Sequence, residues 1–240
     1  MNFEVCAVNI QSARAAQRAE AHRIELCSAL DVGGLTPSLG LIRAAVRALE
    51  IPVHVLIRPR EGDFCYSDAE LEIMLDDIRV CREAGAAGVV VGALTDKGQL
   101  DLPKMKAMKA AAEGMEATCH RAFDFTEDPS EALEQLIAMG FRRVLSSGQS
   151  DSAFEGRFLL QKLVHQANGR ITVMPGAGIN AENIQAIAEV SGARDFHFTG
   201  KKKVLASGGR EIPGLEFWHW ESDESIIRRI LVAARNICLK

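Results

Sequence analysis

The chain has 240 residues, 48% of them hydrophobic, and a net charge of −4. Such a chain can bury a full core without disulfide or metal staples, and it lacks the clustered positive charge that nucleic acid requires, since its one lysine cluster, Lys201-Lys202-Lys203, reads as a solvated loop. No apolar run reaches membrane-spanning length, Met1 leads into a short apolar run without a signal-peptide pattern, and the six cysteines are dispersed, so a cytoplasmic protein with reduced thiols is expected.

Phe3–Val8 opens a series of eight short apolar or β-branched runs. It is followed by Arg23–Cys27, Val53–Arg58, Gly88–Gly92, Glu116–Arg121, Arg143–Ser147, Ile171–Pro175 and Asp195–Thr199, with a helix-patterned segment after each. Eight strand-then-helix units predict a single α/β domain over residues 1–240, a (β/α)8 TIM-like barrel whose binding face lies at the strand C-termini. Helix punctuation agrees. Ser67 to Glu70 has capping-box spacing, Asp128-Pro129 is an N-cap before a first-turn proline, Ser152 to Glu155 repeats the capping spacing, and Asn180 is an N-cap for the seventh helix. Gly85 and Gly140 stand where the third and fifth helices end. Two connections are long: residues 58–67, and a less regular segment at about 200–222 whose Trp218, His219 and Trp220 are expected to seal the barrel end or form an oligomer contact.

Alternation within the strands assigns faces. Glu4 and Cys6, Glu25 and Cys27, His54 and Arg58, Thr118 and His120, and His197 and Thr199 all take the inward parity. Glu4 and Glu116 fall at strand starts, the end that serves stability, and are set aside. Three candidate chemistries remain. Glu25, His120 and Asp124 form an acid/base set, with Arg58, Arg60 and Arg121 near in sequence to hold an anion. The glycine-rich turn Gly176-Ala177-Gly178 before the seventh helix, with Ser147-Gly148 after strand six and His197 on strand eight, offers an anion-binding rim or simply a set of tight turns. Cys6 and Cys27 lie on strands that should run about 4.8 Å apart, which suits Cu(I) or two small buried hydrophobes, with Cys65 a further candidate ligand.

The segments Phe3-Glu4-Val5-Cys6, Arg23-Ile24-Glu25-Leu26-Cys27, Gly33-Gly34-Leu35-Thr36-Pro37-Ser38, Ile57-Arg58-Pro59-Arg60, Gly62-Asp63-Phe64-Cys65-Tyr66-Ser67, His120-Arg121-Ala122-Phe123-Asp124 and Ser147-Gly148-Gln149 closely resemble the CutC family. The likeness runs from the first strand through Gly176-Ala177-Gly178 and more loosely to His197, and it fades where Phe198-Thr199-Gly200-Lys201 replaces a small-residue, serine-containing run. It implies a barrel of cytosolic, often homo-oligomeric proteins tied to copper homeostasis, with Cu(I) binding attributed to two cysteines that match Cys6 and Cys27. A copper ion is then the expected partner, and the alternative is an enzyme performing acid/base chemistry on a small anionic, possibly phosphorylated, metabolite. Neither reading calls for nucleic acid or membrane.

Overall fold

The structure is a computed structural model that describes residues 1–205 and 217–235. Strands β1 (Asn2–Ala7), β2 (Arg23–Leu26), β3 (Val53–Leu56), β4 (Gly88–Val91), β5 (Glu116–Cys119), β6 (Arg143–Ser146), β7 (Thr172–Pro175) and β8 (Asp195–Phe198) pair in parallel in the order β7-β6-β5-β4-β3-β2-β1-β8. β7 and β8 face one another across the remaining seam. Helices α1 (Ile10–Arg18), α2 (Leu39–Ala48), α3 (Asp68–Glu83), α4 (Leu102–Ala111), α5 (Pro129–Ala138), α6 (Arg157–Ala167) and α7 (Ile184–Ser191) follow the first seven strands, and α8 (Glu224–Arg235) completes the ring. The fold is therefore the (β/α)8 barrel that the alternating pattern predicts. Seven of the eight strands end one or two residues earlier than their apolar runs, because the last residues already turn into the loop, and β7 ends where its run does.

Local signals act as their chemistry dictates. Ser67 and Glu70 cap α3 reciprocally, and Asp128 accepts from the first-turn amides of Ser130 and Glu131. Two caps differ from expectation. Asn180 accepts from Glu182 and Asn183 in a turn that precedes α7, whose N-cap is Asn183; Ser152 and Glu155 likewise close a turn ahead of α6. Short polar side chains bond the nearest free amides whether or not a helix follows.

After β8 the chain does not enter its helix directly. Lys201–Leu205 forms β9, paired antiparallel with β10 (Trp218–Ser222), so the lysine triplet is a strand and not a solvated loop. The physical reason is cross-strand packing: Lys201 Nζ lies 3.9 Å from the Trp220 ring centroid, Lys203 Nζ lies 4.0 Å from that of Trp218, and the two indoles meet edge-on at 5.0 Å. Trp220 Nε1 donates to Asp31 at 2.6 Å, which ties this hairpin to the turn after β2. Part of the 200–222 segment, and Cys238, lie outside the described residues.

The strand starts enclose a charge network. Arg23 donates to Glu4 at 2.6 Å and to Asp195 at 3.1 Å, Arg143 pairs with Glu116 and approaches Asp195, and His54 sits 3.5 Å from Glu116. Burial opposes ionising Glu4, but the His197 hydrogen bond and the Arg23 charge hold its carboxyl well below the usual carboxylate range. Burial pushes His54 down to about 4 and His120 down to about 3, so both rings are neutral in the folded protein. The unfolded histidines protonate at about pH 6.5, and the folded ones resist until much lower pH. Their contribution is complete above that value and is lost as pH falls, each on the order of 3 kcal/mol by pH 4. Glu4, also depressed, adds to the loss below about pH 4.5. Urea midpoints measured from pH 7 to pH 3 are expected to fall steadily from about pH 6.5. A flat profile down to pH 4 would contradict neutral buried rings.

Candidate functional site

At the C-terminal mouth of the barrel the inward residues of neighbouring strands line a cavity of about 400 Å3. Cys6, Glu25, Cys27, Arg58, His120 and His197 all reach it, as their strand parity requires. The sulfurs of Cys6 and Cys27 are 3.3 Å apart, both side chains are buried, and both are free thiols. One ligand atom each from Cys6, Glu25 and His197 falls within 4.8 Å of the others. The pairing Cys6↔Glu25 across β1 and β2, with His197 two strands away on the other side of β1, is what gathers them.

Each group is tuned by the others. His197 Nδ1 donates to Glu4 at 2.8 Å, leaving Nε2 to face Glu25 at 3.7 Å. Burial works against the imidazolium, yet Glu25, Cys6 and Glu4 together raise His197 well above the usual histidine range. Burial raises Glu25 against the pull of His197. The hydrogen bond to Cys27 and burial push the Cys6 thiol well up, with the His197 contact acting the other way. A carboxylate fixing one histidine nitrogen while the other faces the site is the usual support of a metal-binding imidazole. Glu4, set aside from the sequence as a stability residue, therefore serves both the network below and the site above.

Several expected residues lie elsewhere. Asp124 does not line the cavity: its carboxylate accepts from Ser146, Ser147 and Gln149 and pairs with Arg121, folding the loops after β5 and β6 together. Ser147 and Gly148 are consumed in the same packing, and Gly148 lies against Gly156 so closely that neither position has room for a Cβ. Gly156→Ala, whose Cβ would meet the Ser147 carbonyl, is expected to destabilise by about 1–3 kcal/mol, read as a lower urea midpoint at unchanged slope. Arg60 is held by Glu70 at 2.5 Å and Asp63 at 2.9 Å, outside the cavity. Arg58 reaches the cavity, but both terminal nitrogens are committed to the carbonyls of Val32, Gly34 and Gly62, where they pin the loops after β2 and β3. Gly176 is small because Leu145 and His197 pack on it, whereas Gly178 does line the cavity. Cys65 is exposed in its loop and does not join the thiol pair. His120 accepts at Nδ1 from the Ala122 amide, and with its low affinity for protons it is a poor base. Of the acid/base set, Glu25 and His120 share the cavity wall and Asp124 does not.

The profile of the CutC family matches residues 1–202. The chain belongs to the CutC family. A family protein CutC of Pasteurella multocida (strain Pm70) is 50% identical over 237 residues, covering 99% of this chain and 97% of that protein. The copper homeostasis protein cutC homolog of Homo sapiens is 49% identical over 244 residues, covering 98% and 89% of the two chains. The crystal structure of a copper homeostasis protein CutC from Streptococcus agalactiae shares 37% identity and superposes with a TM-score of 0.80 over 83% of this chain and 98% of that one. Among the described residues no helix of this CutC chain is long and apolar enough to cross a membrane.

Proposed function

We propose that this CutC chain binds Cu(I) as cargo through the thiolates of Cys6 and Cys27, with His197 as a third ligand and Glu25 beside it. The observation that carries this reading is the pair of buried free sulfurs 3.3 Å apart at the mouth of the barrel. Soft thiolates favour Cu(I) over the harder divalent ions, and a nearby imidazole completes a low-coordinate site. A metal about 2.3 Å from each sulfur would need them about 4.0 Å apart in a trigonal site and about 4.6 Å apart in a linear one. The trigonal arrangement is closer to the spacing present, which favours His197 as the third ligand. The copper homeostasis name of the human relative supports the same ion. Free thiols at this site need a reducing compartment, in keeping with the cytoplasmic setting expected from the sequence.

Titration of the reduced protein under anaerobic conditions against a chromophoric Cu(I) chelator tests the reading. One tightly held ion per chain is expected, and none in the Cys6→Ser, Cys27→Ser double variant. Affinity equal in the two proteins would remove the thiol pair from the function.

A further inference from the structure

A single ion fills only a corner of a 400 Å3 cavity, a volume that falls in the range of small-molecule sites. Besides the thiols the wall carries Leu56, Phe64, Leu145 and Ile179, an apolar surface that a metal ion does not use. The same wall holds donors that lack acceptors. Ala177 and Gly178 both adopt left-handed backbone, with φ of 81° and 69°, and the successive N–H groups of residues 177–179 make no hydrogen bond among the described residues. Consecutive amides in such a turn form an anion-binding nest. His120 is buried and lines the cavity, and its Nε2 has no partner. Because its Nδ1 accepts from Ala122, the proton of the neutral ring sits on Nε2, which makes that atom a donor. Lys201 also lines the cavity, and its ammonium meets the face of Trp220 and no carboxylate among the described residues.

A buried donor without an acceptor is costly, and His120 Nε2, on the same wall as the open amides of residues 177–179 and the exposed Lys201, points to a ligand that supplies acceptors. We infer that the cavity takes a small organic phosphate monoester. Its phosphate lies on the 177–179 nest and Lys201, a polar group accepts from His120 Nε2, and its apolar body rests on Leu56, Phe64 and Leu145. Phosphate fits the donor count better than carboxylate, since three terminal oxygens can meet a nest of amides and an ammonium at once. The inference goes beyond the copper reading and does not depend on it, because none of these contacts involves a thiol.

Calorimetric titration with phenyl phosphate, benzoate and inorganic phosphate tests it on the full chain. Phenyl phosphate should bind saturably and more tightly than the other two. Lys201→Ala and His120→Phe should each weaken it about tenfold, the effect of one lost charge-assisted or buried hydrogen bond. Lys202→Ala, whose ammonium pairs with Asp223 outside the cavity, should leave it unchanged. Phenyl phosphate should still bind the Cys6→Ser, Cys27→Ser variant, which separates this inference from the copper site. No saturable binding of phenyl phosphate, or binding that Lys201→Ala leaves intact, would overturn it, and Lys201 is exposed enough that its loss leaves the fold in place.

Discussion

Arg23→Met is expected to destabilise the protein by about 3–5 kcal/mol, the cost of removing one member from a buried ion network. Arg23 is 6% exposed and holds Glu4, which is fully buried, together with Asp195. Without it, Glu4 keeps among the described residues only histidine contacts, to His197 at 2.8 Å and His54 at 4.0 Å, and Asp195 is left with Arg143 at 3.8 Å and the side-chain amide of Asn2 at 2.9 Å. A buried carboxylate without adequate compensation either takes up a proton or opens the barrel to water, and both are unfavourable at neutral pH. The exposed pair Arg18–Glu224 provides the contrast, because breaking it should cost no more than about 1 kcal/mol. Urea unfolding of both variants checks the prediction. Similar small losses from Arg23→Met and Arg18→Met would show that the network is not a structural core.

The destabilisation should also reach the proposed copper site, because Glu4 touches both the network and His197. Its Oε2 receives Arg23 and its Oε1 receives His197 Nδ1. Loss of Arg23 leaves Glu4 free to turn, and the imidazole loses the orientation that presents Nε2 to Cys6 and Glu25. A column of ionisable side chains therefore links the stability end of the barrel to its binding end. This link explains why so many charged groups share an axis that most barrels fill with aliphatic layers.

Much of this was legible in the sequence because a strand leaves its residues only two faces. The alternation Asp195-Phe196-His197-Phe198-Thr199 placed His197 inward, and the same parity placed Cys6, Glu25, Cys27 and His120 on the cavity wall. Parity says nothing about what a side chain bonds to once it arrives. Asp124 looked like a catalytic carboxylate because it stands near His120 in sequence, but the Ser146-Ser147 turn supplies it with nearer donors. Arg58 looked like an anion ligand, yet three loop carbonyls reach it first. Such contacts depend on how loops from different units fold over one another, which has no periodicity to read. Lys201 was missed as a firm wall residue for a related reason. It is placed by antiparallel pairing with Ser222, across a stretch of chain whose pattern gives no register. The carboxylate set aside, Glu4, shows the converse limit: position at a strand start predicts a structural role, and it does not exclude a second one.

The individual ligands should separate in a second set of measurements. Cys6→Ser and Cys27→Ser are each expected to lower Cu(I) affinity by about a thousandfold or more, because a hydroxyl is a poor ligand for a soft ion and one thiolate alone cannot hold it. His197→Phe should lower affinity by a smaller factor and change the X-ray absorption signature from sulfur-plus-nitrogen to sulfur alone. Glu4→Gln, acting only through the orientation of His197, should cost about 10–100-fold with the nitrogen signal retained but weakened. Glu25 carries a hard oxygen donor, so Glu25→Gln should have the least effect on the ion itself. The sign with pH follows from the free state. Cys6 is held protonated by its bond to Cys27 and by burial, and the bound ion needs thiolates, so loading must release protons. Affinity should therefore rise with pH, because Cys6 and the His197 imidazolium must each give up a proton to bind the ion. The His197→Phe variant should lose part of that slope. A pH-independent affinity with an unchanged nitrogen signal in His197→Phe would place the copper on other residues, since no arrangement using Cys6 could escape the cost of removing its proton.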